Sequence, residues 1–350
     1  MNFESIVSKE ERLLITGSNG FIGAKVVEQL LACRFTNLRC FVRPSSKLES
    51  LKKALGLHPD AKTVEFVSGD LLSHEDCRKA AQDVSVVIHL AAGFDKSFAG
   101  AFMNSALTTR NLLEAFLEYG RPKRFVNVSS FAVYSNRGLK HDSILDETCP
   151  LEDASQERFD AYGFGKVKQE EIVREYAKHR GLPCVTLRPG YVFGARKQEL
   201  NGRVGIKTFG PFIQVNGSNL LPLTYVDNCA EAIALAAITP GIDGEVFNIV
   251  DDGLLTGRQF LKACKGAKRF RSVRVPYWLA YGACFAWERY SKWSKGQLPP
   301  VFNRRRCAAE WKGQRYSNDK LKERLGWKPR VPMKQAMEAF LAQFGTNGDG

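Results

Sequence analysis

The chain has 350 residues, 44% hydrophobic and 25% charged, a balance that fits a folded globular protein and excludes a low-complexity or disordered one. Its longest apolar stretch of interest, Val275 to Trp287, falls short of the ~20 residues that span a bilayer, so no transmembrane helix is expected. The formal net charge is +14, and residues 251–350 alone hold 21 Lys and Arg against 8 Asp and Glu; such a surplus speaks to partners rather than to fold.

Met1 to Glu11 carries acids and no long apolar core, so no signal peptide is expected and the fold begins almost at once. The apolar run Leu13-Leu14-Ile15 predicts a first strand. Thr16-Gly17-Ser18-Asn19-Gly20-Phe21-Ile22-Gly23 follows it, and the apolar spacing after Gly23 predicts a helix over 23–32. Strand, glycine turn and helix in that order bring backbone N–H groups and a positive helix terminus together, where a dinucleotide pyrophosphate binds. The spacing is Gly-x-x-Gly-x-x-Gly, which departs from the G-x-G-x-x-G fingerprint.

Further strands are predicted at 39–42, 64–68, 84–91, 125–129 and 184–187, with helices at 74–81, 103–119 and 161–180. This alternation argues for a doubly wound parallel sheet. At the end of the second strand an acid would bind a ribose 2′-hydroxyl, whereas an arginine accommodates a 2′-phosphate. The window reads Arg43-Pro44-Ser45-Ser46-Lys47, without an acid. Arg43 and Ser45 therefore predict NADP(H), with NAD as the second choice and a solvated basic loop as the structural alternative. The fifth strand ends in Ser129-Ser130, two hydroxyls that either hold a substrate oxygen or cap the strand. Tyr162 and Lys166, four apart, share one helix face. An ammonium there would lower the phenol's pKa and let it exchange a proton near neutral pH, unless the two are a chance surface pair.

In this order the motifs resemble the extended branch of the short-chain dehydrogenase/reductase superfamily, over roughly the first two-thirds of the chain. The resemblance implies a Rossmann-type sheet with a smaller, interwoven C-terminal substrate lobe. Residues 1–190 would bind the dinucleotide, with 226–250 returning to that domain, and 191–225 with 251–345 would form the substrate lobe. It implies Tyr162 as proton donor or acceptor, Lys166 as ligand of the nicotinamide ribose and Ser130 as the catalytic serine, four residues before Tyr134, with Ser129 its nearest competitor. Gly17, Ser18, Asn19, Gly20, Phe21, Ile22 and Gly23 would hold the pyrophosphate. Asp70 and Leu71 match the family's adenine contact, and Leu90, Ala91 and Ala92 the small residues lining the cofactor. Asn104 matches the asparagine after the fourth strand, and Pro189 and Gly190 the turn beside the nicotinamide.

Leu223 to Ala232 and the aromatic helix after Pro276 look more like the 3β-hydroxysteroid dehydrogenase and dihydroflavonol reductase side of the branch. That side implies an oxidoreductase acting on a secondary alcohol or ketone of a hydrophobic substrate, steroid-like, flavonoid-like or acyl. The alternative is a nucleotide-sugar epimerase, dehydratase or reductase with a tightly bound NAD(P). Phe131 and Ala132 directly follow Ser130, where dehydratases carry an acid, which counts against dehydration. A cofactor-binding regulator without chemistry is disfavoured because Ser130, Tyr162 and Lys166 are all present.

The basic C-terminal part leaves two readings open, an anionic small-molecule substrate or an anionic membrane surface; no nucleic-acid module is present. Residues 275–295 place Tyr277, Trp278, Tyr281, Phe285, Trp287, Tyr290 and Trp293 beside Arg289, Lys292 and Lys295, a pattern suited to peripheral membrane contact or, equally, to a core helix. Arg304-Arg305-Arg306 is either a phosphate-reading cluster or a solvated turn. Nine cysteines without a C-x-x-C pair predict buried thiols in a reducing cytosol, and five dispersed histidines predict no metal site. The expected location is cytoplasmic, with the membrane surface as the peripheral option; monomer and homodimer stay open.

Overall fold

The computed structural model describes residues 4–56, 63–195, 202–215, 217–295 and 297–345. Its first half alternates strand and helix: β1 (Arg12–Thr16), α1 (Gly23–Ala32), β2 (Leu38–Val42), α2 (Glu49–Gly56), β3 (Glu65–Ser68), α3 (His74–Ala81) and β4 (Val84–His89). After β4 come α4 (Phe98–Ala101), a π-helical turn (Phe102–Leu107), α5 (Thr108–Tyr119) and β5 (Arg124–Val128). The short β6 (Ile144–Leu145) precedes α6 (Ala161–Arg180), β7 (Cys184–Pro189) and β8 (Tyr191–Phe193). Beyond these lie β9 (Gly205–Ile206), β10 (Phe212–Gln214), β11 (Leu223–Tyr225), α7 (Val226–Ile238) and β12 (Val246–Ile249). The chain closes with α8 (Gly257–Ala267), β13 (Ser272–Arg274), α9 (Tyr277–Trp293), α10 (Arg304–Trp311), β14 (Arg315–Tyr316), α11 (Asp319–Leu325) and α12 (Met333–Gly345).

Seven strands pair in parallel in the order β12-β7-β5-β4-β1-β2-β3. The central strands are buried along their length, which explains their near-continuous apolar sequences. Successive side chains still take opposite faces. Leu13 and Ile15 join a core that includes Val26, Leu30, Cys229 and Ile233 of α1 and α7, whereas Leu14 joins one that includes Cys77, Leu112, Phe116 and Val173 of α3, α5 and α6. The strand order reverses between β1 and β4, where Thr16 lies level with His89. At such a switch point the carboxyl ends of neighbouring strands open a crevice, and the site lies there.

One expected helix, 103–119, is instead a π-helical turn followed by α5. The Ser105 carbonyl accepts the Thr108 hydroxyl at 3.3 Å and the Thr109 hydroxyl at 2.5 Å, so side chains compete with the helical ladder at the junction. The fourth strand stops at His89, short of Ala91. Outside the large sheet, strands pair in three small sheets (β13-β10-β9, β11-β8 and β14-β6), and α8 to α12 follow β12. The chain returns to the large sheet through α7 and β12, β12 pairing with β7. α11 ends where Gly326 takes φ +61°, and Trp327 is buried with its indole N–H on the Asn228 carbonyl at 3.2 Å, tying the C-terminal segment to α7.

Candidate active site

The turn between β1 and α1 is shaped by close backbone approach. Gly17 has φ +67°, and a Cβ there would stand 2.9 Å from the Ala91 nitrogen. A Cβ on Gly23 would overlap the Gly17 carbonyl and lie 2.8 Å from the Ser18 Cα. The Gly20 N–H donates to the Gly17 carbonyl at 3.0 Å, closing the turn over the helix. No side chain caps the N-terminus of α1 and no acid lies in its first turn, so its positive end is available to an anion. This cradle fits a dinucleotide pyrophosphate.

The turn opens on a cleft of about 920 Å³ at the carboxyl ends of the strands. Gly17, Asn19, Gly20, Phe21, Ile22 and Gly23 line one end, with Arg43, Asp70 and Leu71 beside them. Leu90, Ala91, Ala92 and Asn104 line its middle, and Ser129, Ser130, Tyr162, Lys166, Pro189 and Gly190 its far end. Two expected cofactor residues fall outside this lining. Ser18 is fully buried, its hydroxyl turned towards the Phe41 carbonyl at 3.4 Å, because the turn folds its side chain between β1 and β2. Ser45 is exposed; of the two hydroxyls after Arg43, it is Ser46 that faces the cleft.

At the far end, α6 starts from an Asp160 cap whose carboxylate accepts the Gly163 N–H at 3.0 Å, which fixes the turn carrying Tyr162. Ser130 leaves β5 in extended backbone, accepts the Ala132 N–H at 3.1 Å and lies in the same cleft wall as the Tyr162 phenol, whose pKa its hydroxyl draws down. The Ser129 hydroxyl, also in the cleft wall, is buried without a partner among the described residues. Lys166 is buried and donates to the Val128 carbonyl at 2.7 Å and to Gln169 Oε1 at 2.8 Å.

The expectation that Lys166 lowers the Tyr162 pKa is corrected by these surroundings. Burial pushes the phenol up to about 12, against the opposing Ser130 hydroxyl and with the Asp160 carboxylate adding to the rise. Burial likewise drives the Lys166 ammonium down to about 7, with Glu170 opposing. Desolvation of both groups outweighs any attraction between them.

Sequence reasoning missed the residues that brace this wall. His89 is fully buried; its Nδ1 meets the Thr16 hydroxyl at 2.8 Å and its Nε2 the Thr109 hydroxyl at 2.9 Å, and burial holds the ring neutral with its pKa lowered to about 3. It joins the ends of β1 and β4 to α5; a histidine closing a strand with only Ser85 as another polar residue was the available signal. Phe94 was missed as well. Its ring stacks on Tyr162, centroids 5.0 Å apart and planes 4° apart.

Residues 13–249 match the model of the NAD dependent epimerase/dehydratase family. The chain belongs to that family. It is accordingly an NAD(P)-dependent enzyme of the extended short-chain dehydrogenase/reductase superfamily. Among curated proteins it is 25% identical to the decarboxylating sterol-4-alpha-carboxylate 3-dehydrogenase of Mus musculus, over 97% of this chain and 92% of that protein. It is 28% identical to an uncharacterized UDP-glucose epimerase of Bacillus subtilis, over 68% of this chain and 76% of that protein. Among solved structures, the UDP-glucuronic acid 4-epimerase of Bacillus cereus, in complex with UDP-glucuronic acid and NAD, has a similar fold. The TM-score is 0.72 at 22% identity, covering 96% of this chain and 99% of that one.

Outside the cofactor end of this family fold, the basic and aromatic segments take clear positions. Arg304, Arg305 and Arg306 lie on α10 and each pairs with carboxylate: Arg304 with Glu288 at 2.9 Å, Arg305 with Glu157 at 2.9 Å and Glu152 at 3.3 Å, and Arg306 with Glu310 at 3.0 Å. They are neither a free phosphate clamp nor a solvated turn. On α9 only Cys284 and Ser291 are buried, and Trp278 and Trp293 are 72% and 77% exposed. The core-helix reading of 275–295 does not hold. Among the described residues no helix is long and apolar enough to cross a membrane.

Proposed function

We propose that the chain is an NADP(H)-dependent oxidoreductase that interconverts a secondary alcohol and a ketone on a hydrophobic substrate, steroid-like, flavonoid-like or acyl. The nicotinamide, when bound, supplies or accepts the hydride. The chain's own residues manage the oxygen and its proton. Ser130 donates a hydrogen bond to the substrate oxygen, and Tyr162 exchanges the proton with it. At neutral pH the phenol holds its proton, the form needed to quench the alkoxide that develops as a ketone is reduced. Lys166, bonded to Val128 and Gln169 in the same wall, would hold the nicotinamide ribose. Arg43, without a carboxylate partner among the described residues and with Ser46 beside it in the cleft, suits a 2′-phosphate.

The placement of charge carries the substrate reading. Among the described residues lining the cleft, the only cations are Arg43, near the glycine turn, and Lys166. A nucleotide diphosphate substrate would call for cations converging near Tyr162, whereas Arg304, Arg305 and Arg306 each pair with a carboxylate, and Arg306 lines a separate cavity with Lys207, Lys268 and Arg271. The aromatic face of α9 instead turns outward beside Arg289, Lys292 and Lys295, as suits collection of an apolar substrate from an anionic membrane surface.

Two measurements divide this reading from a nucleotide-sugar enzyme, to which the epimerase relatives are kin. Under the proposal, the protein floats with anionic vesicles at low salt and is released at high salt, because Lys and Arg near headgroups are screened within a Debye length. Uridine or thymidine diphosphate leaves its melting temperature unmoved. No flotation together with a clear nucleotide-induced rise in melting temperature would reverse the assignment.

A further inference from the structure

The chain doubles back between α9 and α10, and its contacts set a register. Ser291 Oγ donates to the Leu298 carbonyl at 2.6 Å, and the Trp287 ring meets Phe302 edge-on with centroids 5.9 Å apart. The Glu288 carboxylate accepts the Arg304 backbone N–H at 2.6 Å and pairs with its guanidinium at 2.9 Å. Positions on α9 fall as those on the returning chain rise, so the two run antiparallel. One turn further along that register stand two thiols. Cys284 lies four residues before Glu288 on the same face of α9, and Cys307 three residues after Arg304 on the same face of α10. Both are buried, 5% and 1% exposed, in one cluster with Val215 and Trp311. Packed helices lie about 8–10 Å apart with Cα atoms at a radius of about 2.3 Å, so facing positions have Cα atoms roughly 3.4–5.4 Å apart, which overlaps the ~4.4–6.8 Å of a disulfide. Burial does not seal the pair. Cys284 and Cys307 both line the cavity of about 710 Å³ that Arg306 also lines, and this cavity shares no lining residue with the cofactor cleft. A molecule little larger than water reaches the sulfurs there.

We infer that Cys284 and Cys307 form a redox-modification site, a dithiol that a small hydroperoxide entering the cavity closes to a disulfide. The Cys284 thiolate attacks one oxygen of hydrogen peroxide; the S–O bond forms, the O–O bond breaks, and the departing hydroxide takes up a proton to become water. The Cys307 sulfur then gives up its proton and attacks Cys284; the S–S bond forms, the S–O bond breaks, and a second water leaves. Two thiols lose two electrons, and one peroxide is reduced to two waters. The electrostatics agree with Cys284 as the attacking sulfur. Burial pushes Cys264, in the same cavity wall, up to about 12, and does the same to Cys40. In Cys284 the Cys307 thiol outweighs burial and the Glu288 and Glu310 carboxylates, and draws it below the ordinary thiol value. Cys307 is raised in turn, by Cys284 first and by burial second. Thiolate therefore forms first at Cys284, and the thiolate is the nucleophile. The closed bond ties α9, which presents Trp278 and Trp293 to solvent, to α10, whose Arg305 pairs with Glu157 ahead of α6.

The test uses the full chain, reduced with dithiothreitol, freed of it and treated with hydrogen peroxide. Remaining thiols are blocked with N-ethylmaleimide in urea before tryptic digestion without reductant. Mass spectrometry should find peptide 275–289 joined to peptide 307–312, lighter by two hydrogens than their sum, and dithiothreitol should separate them. The link should form at least about tenfold faster than Cys40 or Cys264 is oxidised. In Cys307→Ser the second thiol is gone, so dimedone should trap the sulfenic acid on Cys284. In Cys284→Ser, Cys307 should remain a thiol under the same treatment. Serine is close to cysteine in size, and melting temperatures verify the fold of both variants; the wild-type mapping stands without them. Recovery of both wild-type thiols as maleimide adducts, a link from either to another cysteine, or a dimedone adduct on Cys307 in Cys284→Ser would each overturn the site.

Discussion

Removing the Arg43 guanidinium should convert a selective cofactor site into an indifferent one. The side chain lies in the cleft wall at the end of β2, with no carboxylate paired to it among the described residues and Ser46 as its hydroxyl neighbour. A charge-assisted hydrogen bond contributes about 1.5–3 kcal/mol. Arg43 is solvent-exposed, so water and salt screen the contact and the low end of that range applies, which corresponds to about a tenfold change in affinity. NADH has no 2′-phosphate and should bind Arg43→Ala within about twofold of wild type. Arg43→Lys keeps the charge but loses the planar fork, and should fall between the two. The assay is a fluorescence titration of both cofactors against the three proteins, at low salt and again near 1 M, where the Debye length shrinks to about 3 Å and the preference for NADPH should narrow. Equal affinity of wild type for NADPH and NADH, or an equal loss of both on mutation, would refute the reasoning.

Two further outcomes follow from the site. Gly23→Ala should weaken NADPH binding by more than about tenfold and lower the melting temperature, because its Cβ overlaps the Gly17 carbonyl and the turn must open; an unchanged dissociation constant would contradict the cradle. Lys166→Met tests the buried ammonium through pH. Since the folded-state pKa is depressed to about 7 from 10.5, the unfolded chain binds more protons between those values and wild-type stability gains with pH across that window. The stability difference, Lys166→Met minus wild type, should therefore decline from pH 7 to 9, and a flat difference in chemical denaturation would show that the ammonium is not desolvated.

Much of the site was legible because it is local. The glycine turn, the Ser130 strand end and the Tyr162–Lys166 helix turn each occupy a few consecutive residues, and the strand–helix alternation orders them in space. Where the reading went astray, the deciding contact is long-range or depends on burial. Ser18 and Ser45 sit beside true cleft residues, but only the turn's geometry shows which side chains face inward. The spacing of Tyr162 and Lys166 suggests mutual tuning, whereas desolvation governs both. The π-helical turn at Phe102–Leu107 rests on hydroxyls of Thr108 and Thr109 folding back on Ser105, a competition that apolar periodicity does not register. Aromatic residues on α9 have the same spacing whether they face a core or a membrane, and exposure alone separates the cases. Phe94 carries no motif; its meaning comes from one stacking partner 68 positions along the chain.

The central claim, that Tyr162 exchanges the proton in a hydride-transfer reaction, is tested most directly by Tyr162→Phe. The substitution keeps the ring, and with it the stack on Phe94, and removes only the hydroxyl. NADPH affinity and NADPH consumption with a hydrophobic ketone that the wild type reduces are measured on the same preparations. Turnover should fall at least ~100-fold with cofactor affinity held within about twofold. Turnover equal to wild type would contradict it.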